Sequence, residues 1–205
     1  MEKKLFLQFI KAAVQGNTIT NREIDDDFVR IAKEQTFLPM LWSVFRKKEF
    51  IKYYIQSSLI HEKYNRLGSS IDILFNKNKI PHIFLKGYEL QNLYNDSNLR
   101  MLGDIDIYVS QLDFDKCIYL LQNDGFSLGS VGPLHTELTK NGVLIEIHSH
   151  LFEDFRIVQS YFSEPFDNSN LLYDFRFQLK DEYNFIYLLA HYAKHICVGA
   201  GLRPI

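Results

Sequence analysis

The sequence predicts an α+β fold: a small mixed β-sheet core with an N-terminal helical region and C-terminal helices. Three observations predict it. The first eighty residues carry apolar side chains at helical spacing. Short apolar runs bounded by polar turns begin at Lys77-Asn78-Lys79-Ile80-Pro81. From Phe155 onward helical periodicity returns. The expected organisation is a helical region over residues 1–80, a core holding the sheet over 81–152 and a helical region over 153–205.

In the first region Leu5, Phe9, Ile10, Ala13 and Val14 recur at helical spacing, and Gly16-Asn17 ends that helix. Asn21 is the expected cap of a second helix, with Glu23 and Asp25 to Asp27 near its positive end and Phe28, Ile31 and Ala32 on its apolar face. Pro39 opens a third, Met40 to Phe45. A long fourth helix is expected from Phe50 to Asn76, its face made of Tyr54, Ile55, Leu59, Tyr64, Leu67, Ile71 and Leu74. Strands are expected at His82–Leu85, Asp104–Val109, Phe126–Leu128, His135–Thr139 and Val143–His148, the last two joined by the turn Lys140-Asn141-Gly142. Helices are expected from Tyr88 to about Tyr94 and from Leu112 to Asn123, the second with Ser110 as cap and Asp113 three residues on. The final helix spans Asp181 to Val198 with Phe185, Leu188, Leu189, Tyr192 and Ile196 on one stripe, and Gly199-Ala200-Gly201 ends it.

Composition excludes several classes. Of 205 residues 46% are hydrophobic and 23% charged, with 17 Phe and 12 Tyr, so the chain can bury a real core and is not a disordered segment. The net charge of −2 and the scatter of Lys and Arg give no non-specific polyanion binder. Cys117 and Cys197 make neither a disulfide framework nor a zinc spacing and read as buried thiols, so no disulfide partner is expected. Leu5 to Val14 is broken by Gln8 and Lys11 and lacks a small-residue cleavage site, so it reads as a helix rather than a signal peptide. No run reaches the length of a membrane span, and a cytoplasmic location without membrane partners is the expectation.

The sharpest chemical feature is Gly103-Asp104-Ile105-Asp106-Ile107-Tyr108-Val109. Side chains alternate across a strand, so Asp104, Asp106 and Tyr108 share one face. Two residues at this spacing lie roughly 6–7 Å apart at Cα, close enough for both carboxylates to converge on one hard cation. The plainer reading is an edge strand with two solvated acids. Upstream, Phe84-Leu85-Lys86-Gly87 reads as a strand turning into a helix, where Gly admits a phosphate close to the backbone and Lys86 adds charge. Downstream, Glu146 and His148 share a face opposite Ile145 and Ile147, so Glu146 can supply a third carboxylate if the two strands are neighbours.

The ordered set of Leu85-Lys86-Gly87, Arg100, Asp104-Ile105-Asp106 and Ile145-Glu146-Ile147-His148 resembles a little-characterised bacterial nucleotidyltransferase family of the DNA polymerase beta-like superfamily. The likeness covers roughly Pro81 to Leu151, and Leu189 to His195 is similar in style. The resemblance implies a transferase that moves a nucleoside monophosphate from a nucleoside triphosphate, such as ATP, onto an acceptor. It implies Asp104, Asp106 and Glu146 as catalytic metal ligands for Mg2+, or Mn2+ in its place. It implies Lys86, Gly87 and Arg100 as nucleotide-binding residues. The chain departs from the superfamily at Gly87-Tyr88, where many members have Gly-Ser or Gly-Gly, so a phosphate-touching hydroxyl is missing.

His148 is expected to support the site through a hydrogen bond, with His150 flanking it. His191 and His195, one helical turn apart, are expected to pack or to face substrate rather than to hold zinc, because no third ligand with suitable spacing is evident. The acceptor is open: a small molecule, a protein side chain or an RNA end. The alternatives are a catalytically inactive nucleotide-binding or regulatory module of the same fold, and a helical interaction protein whose sheet is incidental.

Overall fold

A computed structural model describes residues 3–132, 135–152 and 156–197. The expected end of the last helix at Gly199-Ala200-Gly201, and the side chains of His195 and Cys197, lie outside the described residues.

Three helices, α1 (Lys3–Gln15), α2 (Asp26–Glu34) and α3 (Leu38–Phe45), form a bundle around Phe9, Phe28, Leu41 and Phe45. Phe9 and Phe45 stack with ring centroids 5.6 Å apart, and Phe28 meets both edge-on. The α2 cap is Asp25, whose carboxylate accepts from the Phe28 amide at 2.7 Å. Asn21 does not cap it. It sits at φ 57 in the preceding loop, a left-handed conformation Asn tolerates.

The long helix α4 (Ile51–Lys77) crosses from this bundle to the sheet. Its buried face is Ser57, His61, Tyr64, Leu67, Gly68, Ile71 and Phe75. Ile55 and Leu59, placed by sequence on the apolar face, are exposed instead. The helix must present His61 and Tyr64 to polar backbone groups below it, and that rotation turns the two aliphatic residues outward.

β1 (His82–Leu85) runs directly into the short helix α5 (Lys86–Leu90), and β2 (Ile105–Val109) follows after an irregular stretch. Next come α6 (Phe114–Asn123), β3 (Ser127–Val131), β4 (His135–Lys140), β5 (Val143–His148) and α7 (Arg156–Tyr161). Ser110 accepts from the Asp113 amide at 3.2 Å in the turn ahead of α6, but the cap of α6 is Asp113 rather than the expected Ser110. A hairpin that periodicity did not reveal, β6 (Ser169–Tyr173) with β7 (Arg176–Leu179), precedes α8 (Asp181–Cys197).

The seven strands make one mixed sheet in the order β3-β4-β5-β2-β1-β7-β6. β2 lies at its centre, antiparallel to β1 and parallel to β5, while β7 joins β1 in parallel. One face is covered by α4 and α6, whose Leu67, Ile71, Phe75, Cys117 and Leu121 pack on Ile105, Ile107, Ile145 and Ile147. The other is covered in part by α8, through Tyr183 and Tyr187 against Ile83, Leu85 and Tyr108. The packed face of α8 is this tyrosine stripe, and Phe185 and Leu189 of the expected stripe are exposed. A hydrophobicity pattern ranks Phe and Leu above Tyr, but here the tyrosine bodies fill the space over the sheet.

Candidate active site

The alternation along β2 puts Asp104 and Asp106 on the α8 side of the sheet, the side opposite Ile105 and Ile107. The parallel register pairs Asp106 with Glu146 and Tyr108 with His148, so β5 delivers its polar face next to that of β2. Strands expected to be neighbours are neighbours, and the carboxylates share one side. Lys86, Gly87, Arg100, Asp104, Asp106, Glu146 and His148 all line one cavity of about 550 Å³. Its remaining wall includes His135 on β4, Thr36 from the N-terminal helices, and Tyr187, His191 and Lys194 on α8. His150, next to the proposed site in sequence, is exposed and does not line it.

At the floor is Asp106, 1% exposed. Lys86 Nζ lies 2.5 Å from Asp106 Oδ1, and His148 Nε2 lies 2.9 Å from the same oxygen. His148 Nε2 is also 3.3 Å from Glu146 Oε2. Burial would raise the Asp106 pKa, but Lys86 and His148 outweigh it and hold the carboxylate below the usual range. Burial would likewise discharge Lys86, and the carboxylates of Asp106 and Glu146 keep it charged. For His148 burial is overcome by its hydrogen bonds to Asp106 and Glu146, which raise its pKa. Asp104 is different. Burial and the negative charge of Asp106 push its pKa up to about 6. The cluster is short of positive charge there.

Lys86 reaches Asp106 from a left-handed residue, φ 45, at the junction where β1 stops and α5 starts. Gly87 has its own reason. A Cβ there would come within 3.3 Å of an Arg100 guanidinium nitrogen, and Arg100 Nε donates to the Gly87 carbonyl at 3.4 Å. The missing side chain therefore makes room for Arg100 to lie across the turn. Tyr88, the residue after Gly87, does not line the cavity. Its ring packs on Phe84 with centroids 4.8 Å apart and lies against Gly68 of α4.

The stretch between Arg100 and β2 is pinned from behind by α4. His61 Nε2 lies 2.5 Å from the Arg100 carbonyl, and Tyr64 donates to the Gly103 carbonyl at 2.9 Å. These two residues, like Tyr187 and His135, carry no motif, and sequence reading did not find them. For His135 a signal exists: counting back from the Asn141-Gly142 turn places it across from His148.

A second cavity, of about 420 Å³, lies among Ile10, Val14, Phe37, Met40, Leu93 and Leu99 and carries no charged side chain, so it offers no chemistry for transfer.

A family model described as an uncharacterised nucleotidyltransferase matches residues 22–205. The chain belongs to this family. The match takes in every element from α2 to α8, and with it the whole cavity wall described above. No curated protein and no solved structure matches the chain. Among the described residues, no helix is long and apolar enough to cross a membrane.

Proposed function

We propose that the protein moves a nucleoside monophosphate from a nucleoside triphosphate to an acceptor hydroxyl or a similar nucleophile, with a divalent cation held by Asp104, Asp106 and Glu146. The observation that carries this reading is the convergence of the three carboxylates on one cavity wall, with a lysine and an arginine at the same wall. The donor set fits a hard cation, because all three ligands are oxygens. The raised pKa of Asp104 fits it too, since a buried acid beside another acid lacks a counter-charge.

When bound, Mg2+ would neutralise phosphate charge and lower the pKa of an acceptor hydroxyl. The chain does the remainder. Among the described residues, Lys86 and His148 both contact Asp106 through Oδ1, and Oδ2 would face the cation. Lys86 and His148 fix that carboxylate in one orientation. Arg100, held across Gly87, faces the outer phosphates, where the charge of a triphosphate exceeds what one divalent ion offsets. The acceptor oxygen attacks the α-phosphorus, pyrophosphate leaves, and the acceptor proton passes to a carboxylate or to water. Thr36 and the α8 residues Tyr187, His191 and Lys194 line the remaining wall, where the acceptor would lie.

Metal-dependent release of pyrophosphate separates a working transferase from an inactive nucleotide-binding module. Each of the four triphosphates is incubated with Mg2+ or Mn2+ and pooled small-molecule, peptide and RNA acceptors. Asp104→Asn and Asp106→Asn should each abolish Mg2+-dependent binding and release. Full activity in both variants would refute the assignment, and binding without release in the wild-type protein would favour the inactive module.

A further inference from the structure

The antiparallel register of β4 and β5 places His135 directly across from His148 and Glu137 directly across from Glu146. Ordinary cross-strand pairing sets acid against base, and like groups opposite each other are unfavourable. Here one face of one hairpin sets imidazole against imidazole and carboxylate against carboxylate. The rings of His135 and His148 lie with centroids 5.2 Å apart. The ligating atoms of His135, Glu146 and His148 all fall within 4.8 Å of one another. His148 Nε2 and Glu146 Oε2, at 3.3 Å, already have the separation of two donors on a tetrahedral ion, about 3.3–3.6 Å for bonds of roughly 2.0–2.2 Å. All three line the cavity, so an ion has a way in.

We propose that His135, Glu146 and His148 form a second cation site, selective for a borderline ion of the Zn2+ or Co2+ type. Two imidazole nitrogens and one carboxylate are the donors such ions take with an open position for water or substrate. Mg2+ avoids nitrogen, and the oxygen ligands it prefers stand on β2. Glu146 belongs to both sets, so the site abuts the Asp104–Asp106 position and shares one ligand with it. His148 can turn from Asp106 to the ion because Lys86 remains on Asp106 Oδ1. The competing account is a hydrogen-bonded imidazole–carboxylate network that holds no metal. The site rests on the hairpin's register and the distances among its three side chains, and it stands whether or not the protein transfers nucleotides.

Metal-stripped protein titrated with Co2+, followed by its visible absorption, and with Zn2+, followed calorimetrically, decides between them. The wild-type protein should take up one ion with absorption bands of low-coordinate nitrogen and oxygen ligation, and millimolar Mg2+ should not displace it. His135→Gln, at a side chain 31% exposed, should keep the near-ultraviolet circular dichroism of the fold, lose the Co2+ bands and weaken Zn2+ by roughly tenfold or more. Asp104→Asn should leave Co2+ and Zn2+ uptake as they are. X-ray absorption at the zinc edge of the wild-type protein should show scattering from two imidazoles, a readout that needs no variant. Equal Zn2+ uptake in His135→Gln, or a zinc shell without two imidazoles, would overturn the site.

Discussion

The imidazole of His61 bridges two parts of the chain, with Nε2 2.5 Å from the Arg100 carbonyl and Nδ1 2.9 Å from Gln91 Oε1. Gln91 is held in turn, its amide donating to Asn65 Oδ1 and to the Tyr88 carbonyl. A helix that contributes nothing to the cavity wall thus sets the height of Arg100. His61→Leu keeps much of the volume but removes the imidazole donor from beside the Arg100 carbonyl and Gln91 Oε1, at about 1–3 kcal/mol beyond the lost packing. Denaturant unfolding should show a loss of about 2–4 kcal/mol, and triphosphate binding should weaken with it. Wild-type stability in this variant would mean the bridge does not hold the segment.

Arg100 and Lys86 should separate in their effects on nucleotides. Arg100→Ala removes charge-assisted hydrogen bonds worth about 1.5–3 kcal/mol, so triphosphate affinity should fall roughly ten- to a hundredfold and monophosphate affinity much less. Lys86→Ala should do the same and also destabilise the metal-free protein by about 3–5 kcal/mol, because buried Asp106 loses its main counter-charge. Added Mg2+ should restore part of that stability. Equal losses for mono- and triphosphate in Arg100→Ala would assign the arginine to the fold or to the acceptor.

Arg176 on β7 pairs with Glu89 on α5 at 2.8 Å, and its guanidinium lies over the Phe84 ring at 3.8 Å. Burial raises the Glu89 pKa above its ordinary value even though Arg176 lowers it. A carboxyl with a raised folded pKa favours the folded state at low pH and loses that advantage as pH rises through it. Arg176→Met removes the opposing charge and pushes the Glu89 pKa higher still. The variant should be destabilised by about 3–5 kcal/mol at pH 8, and the deficit should shrink as pH falls toward 5. Unfolding measured across that range tests the sign, and a deficit independent of pH would leave Glu89 out of it.

Gly68 sits mid-helix in α4, where a Cβ would collide with the hydroxyl end of Tyr88. Gly68→Ala gains up to about 1 kcal/mol of helix propensity but overpacks the contact, at about 1–3 kcal/mol. Net destabilisation should follow, together with weaker nucleotide binding as Tyr88 pushes on Gly87. Gly68→Ala with Tyr88→Leu should recover stability; no recovery in the double variant would locate the cost elsewhere.

What the sequence makes legible here is local. Asp104, Asp106, Glu146 and His148 were readable because strand alternation fixes parity, and the Asn141-Gly142 turn fixes a hairpin. The positive φ of both turn residues, 54 and 69, is what Asn-Gly supplies. Hidden were relationships that only packing decides. Leu171 and Tyr173 gave no strand signal in a region whose periodicity was dominated by the helices on either side. Tyr187 was passed over for Phe185 because burial of a tyrosine depends on what lies beneath it. The Lys86–Asp106 contact joins residues twenty positions apart through a left-handed backbone that no propensity favours.

The central position of β2 has a further consequence. Both of its edges are occupied by other strands, so its backbone amides and carbonyls are committed and the backbone that carries Asp106 is held in place, with Asp104 one residue ahead of the ladder. The opposite wall, built from α8 and Thr36, has no such ladder behind it. Under the proposed function, change in what the protein accepts can accumulate in the roof, residue by residue, while the floor around Asp106 stays as it is. Relatives with different acceptors should differ at the positions of Thr36, Tyr187, His191 and Lys194 long before they differ at Asp106.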